Sequence, residues 1–196
     1  MVEELLELLK SGANPEDRIE AALRLGESRA PQAIGALVRA YLGEPDPGVR
    51  EAIVTILLGA DDTEVAREVA PLLKATDAGL RSMAFELLAA KASAKSAEVF
   101  AGLLQDPDRD VRAMTVHALG RSRWPGALDM LRRIAAEDPD VNVVGTAIEY
   151  IGEAGEAADA ALVEQCVERL KHPFLDFVAE RACARLREGG ALASGA

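Results

Sequence analysis

The sequence predicts an all-α solenoid, a right-handed superhelix of about six helical hairpins and about twelve helices. Four arginines, Arg18, Arg50, Arg81 and Arg112, recur at steps of 32, 31 and 31 residues. Each precedes an alanine-rich apolar stretch, and two of these stretches end in Leu-Gly. Internal self-similarity at this period is typical of stacked helical pairs.

The clearest copy of the repeat spans residues 106–120 and predicts how each unit begins and ends. It opens with Asp106-Pro107, a helix-start signal, because proline tolerates the first turn and aspartate caps free amides. It closes with Gly120, which we expect to form a left-handed C-cap. A second apolar segment at helical spacing follows each copy, as in Leu131 and Ile134. Each unit is therefore a helix, a short turn and a second helix, with no strand signal.

The repeats cover about residues 14–187, which sets the expected domain organisation. We expect one domain over residues 1–188, since stacked repeats form one array. Residues 1–12 place apolar side chains on one helical face and predict an N-terminal capping helix. Residues 189–196 lack periodicity and predict a disordered tail.

The pattern Asp-Pro-x-x-x-Val-Arg-x-x-x-x-x-Ala-Leu-Gly, complete at 106–120, resembles the HEAT repeat. It is most similar to the bacterial HEAT-like type named after phycobilisome lyases. The resemblance implies that the second helix of each hairpin lines a concave inner face. It implies little about function, because this family is functionally broad.

Composition limits the core and the partners. Apolar residues make up 49% of the chain but aromatic residues only 4%, so the core should be aliphatic. A net charge of −11 argues against nucleic-acid binding, which needs many lysine and arginine contacts to phosphates. The N-terminal segment is acidic rather than signal-like, and no apolar run is long enough to span a bilayer. We therefore expect a cytoplasmic protein with no membrane partner.

The recurring arginines are expected to be structural. Each lies in the first turn of its helix, close to loop carboxylates. Arg112, for example, can reach Asp106, Asp110 or the next repeat's Asp138. Charge-assisted hydrogen bonds of this kind would tie the loops together as a ladder. An alternative interpretation is a row of anion-binding groups. The proposed ladder comprises Arg18, Arg50, Arg81, Arg112, Asp106 and Asp138.

The sequence offers no constellation of residues that predicts catalysis. His117 and His172 are the only histidines, and Cys166 and Cys183 the only cysteines, none in a closely spaced pair. We expect His117 to face solvent, His172 to cap a turn, and both thiols to be buried and reduced. Phosphate-binding loops and nucleophile elbows are also missing from the sequence. The expectation is a non-enzymatic protein without metal or cofactor.

The most distinctive local departure from the repeat is a basic island around Trp124, the only tryptophan. Its arginines are Arg121, Arg123, Arg132 and Arg133. Tryptophan and arginine are the residues most enriched at interface hot spots. The island is thus a candidate anchor for a partner. The alternative is an indole that lies over the adjacent turn.

Other departures from the repeat predict local changes of shape. Pro71, late in its helix, should remove an amide bond and bend the helix. Val144 and Val178 replace the recurring arginine, so the last two repeats should be held differently. Phe174 and Phe177 are expected to close the end of the stack.

The leading functional hypothesis is a non-catalytic scaffold or adaptor that binds another protein on its concave face. Exposed candidates on the second helices are Arg39, Arg67, Arg133, Glu164 and Glu168. Resemblance to the phycobilisome-lyase group leaves a bilin lyase or chromophore-handling protein as an alternative. A third hypothesis is DNA-lesion binding, as in HEAT-like alkylpurine glycosylases, but the chain lacks their basic, aromatic-lined cleft.

Overall fold

The computed structural model describes residues 2–28 and 30–194, except for the side chains of 189–194. Within this part of the chain there are twelve α-helices, two 3₁₀ helices and no strand, which confirms the predicted all-α fold. The chain divides into two compact units, Met1–Lys91 and Ala92–Ala196, and each is described by itself. The single domain over 1–188 stays a prediction.

The first unit contains helices α1 to α6. Their bounds are α1 Val2–Ser11, α2 Pro15–Ser28, α3 Ala33–Gly43, α4 Pro47–Gly59, α5 Asp62–Val69 and α6 Ala78–Lys91. The helices pack in two layers. The first helices of the hairpins, α2, α4 and α6, contact one another in sequence, and so do the second helices, α1, α3 and α5. Helix α1 thus lies in the second-helix layer beside α3, and its role as a cap over residues 1–12 stays a prediction.

The second unit contains helices α7 to α12. Their bounds are α7 Ala97–Leu103, α8 Arg109–Arg121, α9 Ala127–Glu137, α10 Val141–Ala154, α11 Ala160–Leu170 and α12 Pro173–Ser194. Helices α8, α10 and α12 form the first-helix layer, while α9 and α11 pack in the second-helix layer. The backbone of α12 continues through residues 189–194, whose side chains, like residues 195 and 196, lie outside the description. The disorder expected for 189–196 stays a prediction.

The aspartates in the loops before the first helices have two different structural roles. Asp108 and Asp140 cap α8 and α10 by accepting hydrogen bonds from backbone amides of the first turn. Asp106, which we expected to cap α8, instead accepts from the amide of Asp108. Only at α4 does the aspartate directly before proline, Asp46, act as the cap. Where the sequence reads Asp-Pro-Asp, the second aspartate is therefore the cap. The helix begins two residues later than expected, because the proline lies in the loop.

The core is aliphatic, as the composition predicts. Among the described residues, the buried apolar side chains are alanine, valine, leucine, isoleucine, methionine and cysteine, together with a single aromatic residue, Phe100. Small side chains allow the helices to approach closely, and each contributes modest apolar burial. Stability therefore depends on the sum of many helix contacts within each unit.

The glycine that closes the repeat has a different role from the one expected. The expectation of a left-handed C-cap is wrong, since no described glycine has a positive φ and Gly26, Gly120 and Gly152 lie inside α2, α8 and α10. A Cβ on Gly120 would lie 2.2 Å from the ring of Tyr150, and one on Gly152 would lie 2.8 Å from the Cα of Ala182. These glycines therefore let consecutive first helices pack closely.

Pro71 coincides with a change of helix type. Helix α5 ends at Val69, and a 3₁₀ helix, Ala70–Lys74, follows directly. Proline supplies no backbone amide, so an α-helical hydrogen bond is lost there. The second segment of this hairpin is therefore one short α-helix with a 3₁₀ extension.

We expect Gly152→Ala to lower the free energy of unfolding by about 1–3 kcal/mol, because its Cβ would overlap the backbone of α12 rather than a flexible side chain. Gly102→Ala is the matched control in α7, where nothing lies within 4 Å of the new Cβ. The control should be neutral or more stable by up to about 1 kcal/mol, through helix propensity. Urea denaturation measures both, and equal effects of the two substitutions would contradict the packing role.

Candidate functional site

Two of the four recurring arginines bridge consecutive loops through carboxylates. Arg18 donates to both carboxylate oxygens of Glu44 at 2.8 and 2.7 Å, and to the carbonyl of Gly12. Arg112 makes the equivalent bonds to Asp138 at 2.6 and 3.2 Å, and to the carbonyl of Asp106. The acceptor carboxylates are almost fully buried, with exposed side-chain fractions of 4% and 2%.

The other two arginines bind loop carbonyls. Arg50 donates to the carbonyl of Pro45, and its buried Nε has no hydrogen-bond partner in the described structure. Arg81 donates to the carbonyls of Ala75 and Thr76. All four arginines thus hold the loop that precedes their own helix. The wider interpretation of the set as a structural ladder stays a prediction.

Electrostatics reinforce the Arg18–Glu44 pair. The guanidinium of Arg18 hydrogen-bonds to Glu44 and holds the pKa of that carboxyl below its usual range, although burial acts in the opposite direction. The pKa of Arg18 is raised, mainly by the same hydrogen bond. Both groups are thus charged and engaged with each other.

Trp124 lies over its own turn. The indole is half-buried, and a Cβ on Gly126 would lie 2.4 Å from its Cζ2 atom. The carbonyl of Trp124 also accepts a hydrogen bond from the amide of Ala127, at the start of α9. This position agrees with the alternative interpretation, an indole that lies over the adjacent turn.

The arginines of the basic island do not act as one group. Arg132 binds both carboxylate oxygens of Asp159 at 2.7 and 2.9 Å and also pairs with Asp129. Arg133 is 71% exposed and lies 3.7 Å from a carboxylate oxygen of Glu137. Arg121 and Arg123 are exposed at the end of α8 and in the following loop. Arg132 is thus bound by carboxylates of the protein itself, an engagement that the sequence did not indicate.

The five exposed candidates proposed for the inner face all lie on second helices. The structure exposes each of them: Arg39 on α3, Arg67 on α5, Arg133 on α9, and Glu164 and Glu168 on α11. They belong to the same layer within their own units. That placement makes the second-helix layer the candidate interaction surface.

Each unit has a groove in this layer, between two second helices (α1 and α3 in the first unit, α7 and α9 in the second) and the loops that follow them. We call them groove 1, of about 810 Å³, and groove 2, of about 370 Å³. The lining of groove 1 includes Leu6, Leu9, Lys10, Arg18, Ala36, Arg39, Ala40, Gly43 and Glu44. The lining of groove 2 includes Leu104, Asp106, Arg112, Met130, Arg133, Ile134, Glu137 and Asp138.

The two grooves occupy the same position in the repeat. Adding 94 to the residue numbers of groove 1 gives ten of the twelve residues that line groove 2. Arg39 then corresponds to Arg133, and the pair Arg18–Glu44 to Arg112–Asp138. Each groove thus combines an apolar floor, one loop-bridging arginine and one exposed arginine.

Two further cations hold loops in ways that the repeat pattern did not predict. The ammonium of Lys91, which is almost fully buried, donates to the carbonyls of Leu58 and Ala60 at the end of α4. Arg169 on α11 donates to the carbonyls of Ala135 and Asp138 at the end of α9. Neither residue recurs at the period of the arginine series, so sequence comparison of the repeats missed both.

The last two repeats, which carry valine in place of the recurring arginine, pack differently from the earlier repeats, as expected. Val144 and Val178 are buried in the core of the second unit. Phe174 rests against Gly145, where a Cβ would meet its ring. Phe177, however, is 60% exposed and lies beside Arg181, so it does not close the core.

The histidines and cysteines have the surroundings expected of them. His117 is exposed, and its Nδ1 atom lies 3.2 Å from the hydroxyl oxygen of Tyr150. His172 accepts a hydrogen bond from the amide of Phe174 and so caps the turn before α12. Cys166 and Cys183 are buried free thiols, and burial raises the pKa of each. Within the described residues, no group of three or more histidine, cysteine or acidic side chains could hold a metal ion.

A family model described as HEAT repeats matches residues 2–89, 67–151 and 96–184. A search of curated protein sequences gives no significant match. The described helices include none with both the length and the apolar character needed to cross a membrane.

Solved structures resemble the chain at low sequence identity. The crystal structure of Cex1p matches with a TM-score of 0.52 and 14% identity over 99% of this chain and 45% of that chain. An engineered protein matches with a TM-score of 0.42 and 20% identity over 96% and 97% of the two chains. The CpcE–CpcF complex of phycocyanin lyase from Nostoc sp. PCC7120 gives a TM-score of 0.35 and 15% identity, over 95% and 94%. The match to Cex1p bears on the fold alone, and the two weaker matches carry no functional argument.

The position of the indole can be tested by fluorescence, because Trp124 is the only tryptophan. Gly126→Ala places a Cβ against the ring, so the indole should move toward water and its emission should shift to longer wavelength. Gly102→Ala, whose new Cβ would have nothing within 4 Å, should leave the emission unchanged. An identical spectrum for Gly126→Ala would contradict the described packing.

The Arg132–Asp159 pair predicts a specific dependence of stability on pH. The hydrogen bond from Arg132 lowers the pKa of Asp159, so this carboxyl stabilises the fold fully above the ordinary aspartate pKa of about 4. That contribution is lost as the pH falls from there through the folded-state pKa. Asp159→Asn should therefore flatten the fall of unfolding free energy between about pH 5 and pH 3.

Asp129→Asn is the control for this measurement. Asp129 also pairs with Arg132, but it is 81% exposed, and exposed pairs contribute little. Urea denaturation at each pH should give a curve for Asp129→Asn that parallels that of the unaltered chain. If the curve for Asp159→Asn were also parallel to that of the unaltered chain, the Arg132–Asp159 pair would not stabilise the fold.

Proposed function

Since the chain belongs to the HEAT-repeat family, we propose that it is a non-catalytic scaffold that binds another protein through its second-helix layer. One observation carries the proposal: each unit presents a groove at the same place in this layer, with an exposed arginine beside an apolar floor. Repeat surfaces of this kind spread many modest contacts over a pre-ordered framework, so little ordering cost falls on the scaffold.

The distribution of charge supports a binding role. The most buried carboxylates, such as Glu44, Asp138 and Asp159, are paired with arginines and engaged in loop contacts. These ion pairs join neighbouring repeats and hold loop residues in place. Exposed cations on the second helices, by contrast, remain accessible to a partner. Nothing observed favours a bilin or a DNA lesion as the ligand.

Affinity capture of the full chain followed by mass spectrometry tests this function. We expect a reproducible protein partner whose recovery falls several-fold when the charge of Arg39 or Arg133 is reversed to glutamate. The matched control is Arg24→Glu, the same charge change at an exposed position of the first-helix layer. Trp124→Ala measures the contribution of the basic island separately.

Two results would contradict the proposal. One is capture that repeatedly yields no protein partner. The other is a partner whose recovery depends on Arg24 but not on the second-helix arginines, since binding would then use the opposite layer.

A further inference from the structure

Groove 1 differs from groove 2 in size because smaller side chains line it. Ala36, Ala40 and Gly43 stand where groove 2 has Met130, Ile134 and Glu137. The volume of groove 1 is correspondingly larger, about 810 Å³ against about 370 Å³ for groove 2. Space that groove 2 fills with its own side chains is thus open in groove 1.

The two grooves also differ in charge. Three cationic side chains and one carboxylate line groove 1, whereas two cations and three carboxylates line groove 2. The carboxylate of groove 1, Glu44, is 4% exposed and bound by Arg18 on both oxygens. The side chains that line groove 1 therefore carry a net positive charge, on a chain whose net charge is −11.

Lys10 and Arg39 provide this positive charge at the surface. Both are exposed, and neither forms an ion pair or side-chain hydrogen bond within residues 2–28 and 30–194. The guanidinium of Arg39 and the carboxylate of Glu68 both approach Gly35, without reaching ion-pair distance of each other. The guanidinium of Arg39 is thus near one carboxylate but not paired with it, and it can pair with an anionic group of a ligand.

We propose that groove 1 recognises a peptide segment in which an acidic side chain neighbours a large apolar one. This inference rests on the proposed scaffold function and names the segment of the partner that is bound. The apolar side chain would occupy the space beside Ala36 and Ala40, over Leu6 and Leu9. The acidic side chain would pair with Lys10 or Arg39. A nucleic acid fits less well, because two exposed cations neutralise few phosphates.

Selection of short random peptides displayed on phage against the full chain tests the proposal. We expect the selected peptides to be enriched in combinations of aspartate or glutamate with leucine or phenylalanine. Their dissociation constants, measured by fluorescence anisotropy with labelled peptide, should rise about tenfold for Lys10→Glu or Arg39→Glu. Arg24→Glu makes the same charge change at an exposed position of α2, outside the second-helix layer, and should leave the affinity unchanged.

A second variant tests the groove without altering charge. Ala40→Ile gives groove 1 the side chain that groove 2 carries at Ile134, so the fold is expected to accept it. Binding of the selected peptides should be lost as the space is filled. Circular dichroism and urea denaturation of each variant would separate loss of binding from loss of fold.

Three outcomes would overturn the inference: no selected peptide, selected peptides that are basic or purely apolar, or binding unchanged by both Arg39→Glu and Ala40→Ile. If capture still recovers a protein partner in such a case, the scaffold function stands and only the assignment of groove 1 fails. If capture recovers none while peptides bind groove 1 as described, the scaffold function fails instead.

Discussion

The close approach of consecutive first helices is the constraint on which the rest of each unit depends. Gly26 faces Ile56, Gly120 faces Tyr150, and Gly152 faces Ala182, so each glycine meets a residue thirty positions further along the chain. A side chain at the glycine would force the neighbouring helix away, and the apolar contacts around it would be lost. Because the separation of thirty residues between each glycine and the residue it faces is constant, inserted residues can be tolerated only in the turns between helices. The period of the sequence is thus a consequence of helix packing.

Arginine–carboxylate pairs complement this packing at the helix ends. Arg18 and Arg112 each join their own preceding loop to a carboxylate 26 residues later, and Arg132 joins α9 to Asp159. These carboxylates are nearly excluded from water, so removing one partner leaves the other charge poorly solvated. Such pairs give the loops one defined position, and the loops in turn form one wall of each groove. The ion pairs thus shape the candidate binding surface.

The repeat pattern predicted the helices well and the roles of individual residues less well. Apolar spacing and proline positions gave the twelve helices, because these signals are local in the chain. The glycines were misassigned to C-caps, since their neighbours Tyr150 and Ala182 are distant in sequence. Arg132 was grouped with the exposed arginines of the basic island because its partner Asp159 lies 27 residues away. Neither groove could be read from the sequence, as each is built from three helices and two loops.

The sequence by itself determined the all-α repeat, the aliphatic core and the net acidic charge. These properties follow from composition and from short-range periodicity. Only the tertiary structure decided which arginines are held by buried carboxylates and which stay exposed. It also decided that the same repeat position forms an open groove with a net positive lining in one unit and a smaller, partly filled groove in the other. The physical reason is that charge pairing and free volume depend on side chains brought together from different helices, and no local pattern records those encounters.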